Sequence, residues 1–184
     1  MRAMLAFLIL LAVMLVFPSA GFCQDPDQGL QSFGIRGGYM ATQRNEYFHQ
    51  YEAFVSFGLP WSVRADNGWG LEMSANAAAG GIHAAGQTGF IAAVGPGFIV
   101  DKAGGKGFAF VVGGDLNGLT QYRFGSVDLN GHVLFDGHAG VQYRFDNGLG
   151  VGYRFQHMSN GGLNGSRNTG VDFHMFEVSV NIRK

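Results

Sequence analysis

From about residue 33 onward, hydrophobic and polar side chains alternate with a period of two, the spacing of strands whose two faces meet different surroundings. The clearest run is Leu149, Val151, Tyr153 and Phe155, with Arg154 and Gln156 between them. A second sets Tyr51, Ala53, Val55, Phe57, Leu59 and Trp61 against Glu52 and Ser56, and a third sets Trp69, Leu71, Met73 and Ala75 against Glu72, Ser74 and Asn76. Phe33, Ile35 and Tyr39 oppose Arg36, and Phe135, Ala139, Val141, Tyr143 and Phe145 oppose Asp136, His138, Gln142 and Arg144. The pattern predicts about eight strands of roughly ten residues, near 33–42, 47–63, 68–78, 89–100, 108–116, 133–145, 149–159 and 171–182. That number and length suit an all-β fold, an eight-stranded antiparallel transmembrane β-barrel with an apolar exterior.

The opposite face carries Arg36, Glu52, Glu72, Arg144, Arg154 and Glu177. In a barrel too narrow for an open channel these charges are expected to pair with one another as filling. Asp66-Asn67-Gly68 and Asp146-Asn147-Gly148 predict tight hairpins, and Asp101 to Gly107 a third short turn. All three fall at one end of the cylinder, which the short turns mark as periplasmic. The connections at 42–46, 79–88, 117–132 and 160–169 are then expected outside. Trp61 and Trp69 flank a short turn, as an interfacial aromatic girdle requires.

Arg2, the apolar run from Ala3 to Phe17 and the small residues Pro18 to Gly21 form the pattern of a secretory signal peptide. The expected organisation is a signal peptide over 1–23 and a barrel domain over 24–184. Cys23 is the sole cysteine, so an intramolecular disulfide is excluded. The chain has 31 Gly, 17 Phe and 4 Pro without a collagen period, which fits bent and tightly packed strands. A net charge of −1 with no basic run excludes nucleic acid as a partner.

Candidate chemistry sits at His157-Met158-Ser159-Asn160. His157 and Ser159 continue the apolar odd-numbered face of their strand, so an imidazole and a hydroxyl stand together at the outer rim of a lipid-facing surface. In the last strand the apolar face is the even one, with Phe176, Val178, Val180 and Ile182, which puts Asp172 and His174 on the lipid side. Matching apolar partners predicts a register of Tyr153 with Phe176, Val151 with Val178 and Leu149 with Val180. The same register sets His157 opposite Asp172. A serine, a histidine two residues away and a carboxylate across from that histidine are the parts of a nucleophile, its base and an orienting acid. His174 shares the face without other support. His49, His83, His132 and His138 are scattered and read as loop or lumen residues, so no metal site is assigned. No phosphate-binding loop or cofactor fingerprint is present, and serine ester hydrolysis calls for no cofactor.

His157-Met158-Ser159-Asn160, Gly162-Leu163 and Asn168-Thr169-Gly170-Val171-Asp172 together resemble the carboxy-terminal signature of the outer-membrane lipid A 3-O-deacylases, the PagL family. The close resemblance covers about the last 35 residues, and elsewhere the agreement is in barrel pattern and length. It implies Ser159 as nucleophile, His157 as base, Asp172 as orienter and Asn160 as an oxyanion donor. Asp172 stands where the family usually has glutamate. The expected activity is release of the 3-position acyl chain of lipid A in the outer leaflet of the bacterial outer membrane, with lipid A or lipopolysaccharide and the surrounding lipids as partners. Monomer and homodimer stay open. The alternatives are a non-enzymatic barrel acting in adhesion or membrane integrity, and a phospholipase or acyltransferase of the same leaflet.

Overall fold

The computed structural model describes residues 28–42, 45–163 and 169–182. The expected signal peptide and Cys23 lie outside the described residues. The strands are β1 (Gly29–Met40), β2 (His49–Arg64), β3 (Trp69–Ala84), β4 (Gln87–Lys102), β5 (Gly107–Leu119), β6 (Arg123–Phe124), β7 (Val127–Asp128), β8 (Val133–Arg144), β9 (Leu149–Ser159) and β10 (Val171–Asn181). Eight of them close into an antiparallel barrel in the order β1-β10-β9-β8-β5-β4-β3-β2, while β6 and β7 pair with each other. Closure is made by β1 on β10, with Ile35 opposite Val178 and Arg36 opposite Glu177.

The alternation read from the sequence sorts the side chains as expected. Ile35, Val94, Phe110, Val151, Phe176 and Val178 are exposed on the exterior, an arrangement stable only against lipid. Arg36, Glu52, Glu72, Arg144, Arg154 and Glu177 are buried inside. Arg36 pairs with Glu52, which also receives Arg154 at 3.4 Å. Nearer the periplasmic end, Arg64 pairs with Glu72 and with Asp101 at 3.1 Å, and Arg144 reaches Asp101 at 2.8 Å. Glu177 accepts from Gln142 at 2.6 Å.

The filling is polar over only part of the barrel's height. Toward the outer end the lumen is apolar, packed with Met40, Phe48, Ile82, Leu134, Met158 and Phe173, and Phe124, Val127 and Leu129 of the β6–β7 region pack into this cluster. The sequence predicted a loop over 117–132, and the structure makes it a lid on the lumen. Glu46 fastens it by accepting from the Ser126 backbone N–H at 2.9 Å.

Both Asp-Asn-Gly sites are tight hairpins as expected, while one other connection differs from expectation. In both Asp-Asn-Gly turns only the glycine takes a left-handed backbone, with φ of 86° at Gly68 and 84° at Gly148. The bonds from Gly68 N to Ala65 O and from Gly148 N to Phe145 O describe tight three-residue hairpins with a glycine bulge. The long outer loop expected over 79–88 is instead strand on both sides of Ala85 and Gly86, whose φ values of 51° and 72° make a two-residue turn. The run Ala77-Ala78-Ala79-Gly80-Gly81 has too little side-chain contrast to register as alternation. Its small residues are required by close packing, since a Cβ at Gly80 would lie 1.9 Å from the Tyr51 carbonyl oxygen.

Candidate active site

β9 and β10 pair in the register expected from their apolar partners, with Val180 opposite Leu149, Val178 opposite Val151, Phe176 opposite Tyr153 and Asp172 opposite His157. Because β9 ends and β10 begins at the outer side of the barrel, the His157 and Asp172 pair stands at that rim. His157 Nδ1 lies 2.6 Å from Asp172 Oδ1. The imidazole is half exposed and the carboxylate one-fifth exposed. Phe155, next below His157 on the same face, is exposed to the surroundings of the barrel, whereas Gln156 and Met158 are buried inside. The ring also lies against Gly170, where a Cβ would come within 2.7 Å of His157 Cε1.

Ser159 keeps the parity of His157 and is the register partner of Phe135 on β8. It is 8% exposed, so the hydroxyl is screened by its neighbours rather than open at the rim. Among the described residues no hydrogen bond joins Ser159 to His157.

Asn160 is fully buried, and its amide serves the turn that follows Ser159. Its Oδ1 accepts from Gly162 N at 2.8 Å, and its Nδ2 donates to the Asn130 carbonyl at 3.4 Å. The side chain expected to donate to an oxyanion is thereby directed into the loops, since alternation places residue 160 on the inner face. Gly161 and Gly162 follow with φ of 59° and 81°, and Leu163 N closes the turn on Asn160 O at 3.1 Å.

His174 is held apart from the pair. Its Nδ1 lies 2.8 Å from the Tyr153 hydroxyl, and its ring packs among Tyr39, Tyr153 and Phe155 in the aromatic belt of the outer end. His132 lies 2.8 Å from the Leu119 carbonyl oxygen in a loop. His49 and His83 are opposite each other across β2 and β3, an encounter that only the register reveals. His138 is buried in the lumen with Asp136 at 3.1 Å and Asp115 at 3.7 Å. The three offer ligand-type atoms within 4.8 Å of one another, but their bonds to each other and to Asn117 make them part of the polar filling. The sequence places Asp136 and His138 together on one face of β8, and only the β5–β8 register adds Asp115 to them, because the two strands are joined through the whole lid.

A family model described as "Lipid A 3-O-deacylase (PagL)" matches residues 49–181. The chain belongs to the PagL family. This PagL-family barrel is a lipid A deacylase of the bacterial outer membrane, and its match includes both β9 and β10. Among solved structures it is similar to the outer membrane enzyme PagL, with 19% identity and a TM-score of 0.66 over 82% of this chain and 99% of that one. It is also similar to Neisserial surface protein A (NspA), with 16% identity and a TM-score of 0.50 over 84% and 97% of the respective chains. At these identities the two likenesses show the fold. No curated protein matches the chain by sequence.

Proposed function

We propose that this PagL-family chain hydrolyses the 3-position ester of lipid A through Ser159 as nucleophile, His157 as base and Asp172 as the acid that orients it. The observation that carries this reading is the 2.6 Å bond from His157 Nδ1 to Asp172. It fixes the imidazole with its Nδ1 proton toward the carboxylate, leaving Nε2 as the basic nitrogen in the chain segment that holds Ser159. The position of the pair at the outer end of the lipid-facing surface matches where a lipid A ester lies.

Ser159 Oγ attacks the ester carbonyl as His157 Nε2 takes its proton, and Asp172 stabilises the imidazolium that results. The bond from the carbonyl carbon to the sugar oxygen then breaks, and His157 returns the proton to that oxygen. Deacylated lipid A leaves. A water attacks the acyl-serine, giving its proton to His157, and collapse of the second intermediate releases the fatty acid and restores Ser159. Every step is proton transfer and acyl transfer, so the chemistry requires no cofactor or metal. Asn160 supports the oxyanion side by shaping the turn that begins immediately after the nucleophile.

Mass spectrometry of lipid A from cells carrying the wild-type protein, no protein, or Ser159→Ala tests the reading. Loss of one 3-position acyl chain only with the wild type is expected. Deacylation undiminished in a folded Ser159→Ala barrel would remove Ser159 from the mechanism, and no deacylation by the wild type would favour a non-enzymatic barrel.

A further inference from the structure

The two oxygens of the Asp172 carboxylate are held from opposite sides. Oδ1 meets His157 on β9, and Oδ2 accepts from Thr42 Oγ1 at 2.5 Å, immediately beyond the end of β1. We infer that Thr42 is a positioning residue of the deacylase site, one that sets the plane of the Asp172 carboxylate and thereby the orientation of His157. The inference rests on the triad reading given above.

Packing is poorly placed to do this work. His157 is about half exposed, so neighbours do not clamp the ring. The terminal torsion of an aspartate is soft and broad, so a carboxylate held through one oxygen can turn about its own axis. A second hydrogen bond at the other oxygen removes that freedom. Donation to a carboxylate also favours its charged form, the form needed to stabilise an imidazolium beside lipid. The β-branch of threonine restricts χ1, so the hydroxyl is presented with little rotamer freedom to lose.

Thr42 reaches Asp172 across the seam that closes the barrel. The last register pair of that seam is Met40 with Phe173, and Ala41 N donates to the Asp172 carbonyl at 2.7 Å. This backbone bond already ties the segment to β10, so the Thr42 hydroxyl is left to act on the side chain. The site is therefore assembled from both ends of the barrel sequence and is complete only when β1 has docked on β10.

Kinetics of purified, folded barrels on lipid A test the assignment, using Thr42→Val, Thr42→Ser, Asp172→Ala and the Thr42→Val/Asp172→Ala double variant. Thr42→Val is expected to lower kcat about tenfold with KM unchanged, the scale of one hydrogen bond to a charged group, while Thr42→Ser recovers most of the loss. In the Asp172→Ala background the same change should alter kcat by less than about twofold, because its target is gone. Wild-type kcat in Thr42→Val overturns the role, as does an equal loss in both backgrounds, which would mark a general effect on the barrel. Wild-type kcat in Asp172→Ala would instead show that the triad reading itself fails, and the role of Thr42 with it.

Discussion

His157 and Asp172 face each other across the β9–β10 ladder, 2.6 Å apart through Nδ1 and Oδ1, although fourteen residues and an outer loop separate them in sequence. In the proposed triad an aspartate in this place does two things: it selects the imidazole tautomer and it stabilises the charge that forms when the ring accepts a proton. An amide does neither. Asp172→Asn should therefore lower kcat by about 10³–10⁴-fold with little change in lipid binding. Asp172→Glu should keep substantial activity, since the longer acid carries the same charge and has room at the rim to reach the half-exposed His157 ring. Steady-state kinetics of both variants on lipid A in detergent decide the point, and near-wild-type turnover in Asp172→Asn would leave a serine and histidine dyad.

The buried ions make a separate prediction about stability. Glu52 lies between Arg36 and Arg154, and its second oxygen accepts from Gln50 at 3.0 Å. Glu52→Ala leaves two guanidinium groups in the lumen without this shared partner, a change expected to cost about 3–5 kcal/mol. Urea unfolding in micelles should show a lower midpoint, and kcat at equal folded fraction should be unchanged because the site lies on the outer face.

Parity explains what was legible in the chain. Strand faces and the β9–β10 register follow from side chains of strong contrast, such as Tyr153 against Arg154 or Val178 against Glu177, because a one-residue slip would put charges into lipid. His157 and Asp172 come together as a consequence of that register, so the pair could be read before any coordinates. Thr42 could not, since its partner lies across the closing seam and no local periodicity reports it. The β3–β4 turn was hidden for a different reason, the alanine and glycine run that packs closely without contrast. The apolar lid was hidden as well: Phe124, Val127 and Leu129 occupy a connection whose burial depends on the mouth they fill. Asn160 was legible as part of a signature, while the direction of its amide depended on Asn130 and Gly162.

That lid carries its own test. Phe124 is fully buried and meets the Phe48 ring edge-on at 5.4 Å between centroids. Phe124→Ala should destabilise by about 3–5 kcal/mol, with the hairpin giving way before the barrel wall. Limited proteolysis should show new cleavage near β6 and β7, while the strands stay protected. Unchanged resistance would mean that the hairpin is held by its polar fastening at Glu46 instead.

Gly170 tests whether catalysis depends on the placement of the His157 ring. A Cβ there would stand 2.7 Å from Cε1 and 3.2 Å from Nε2 of His157, and 3.3 Å from the Met158 carbonyl oxygen. The closest atom belongs to a side-chain ring that is half exposed and able to swing, so the barrel should accept Gly170→Ala with little loss of stability. The ring, however, must move by a sizeable fraction of an ångström. That displaces Nε2 relative to Ser159 and strains the bond to Asp172. Misplacement of about 1 Å at a reacting group typically costs about 10²-fold, so kcat of Gly170→Ala should fall by about 10–100-fold while the unfolding midpoint and KM stay close to wild type. A variant as active as the wild type would show that the imidazole works from a different rotamer, and a variant that fails to fold would show that the Met158 carbonyl, rather than the ring, sets the limit at this position.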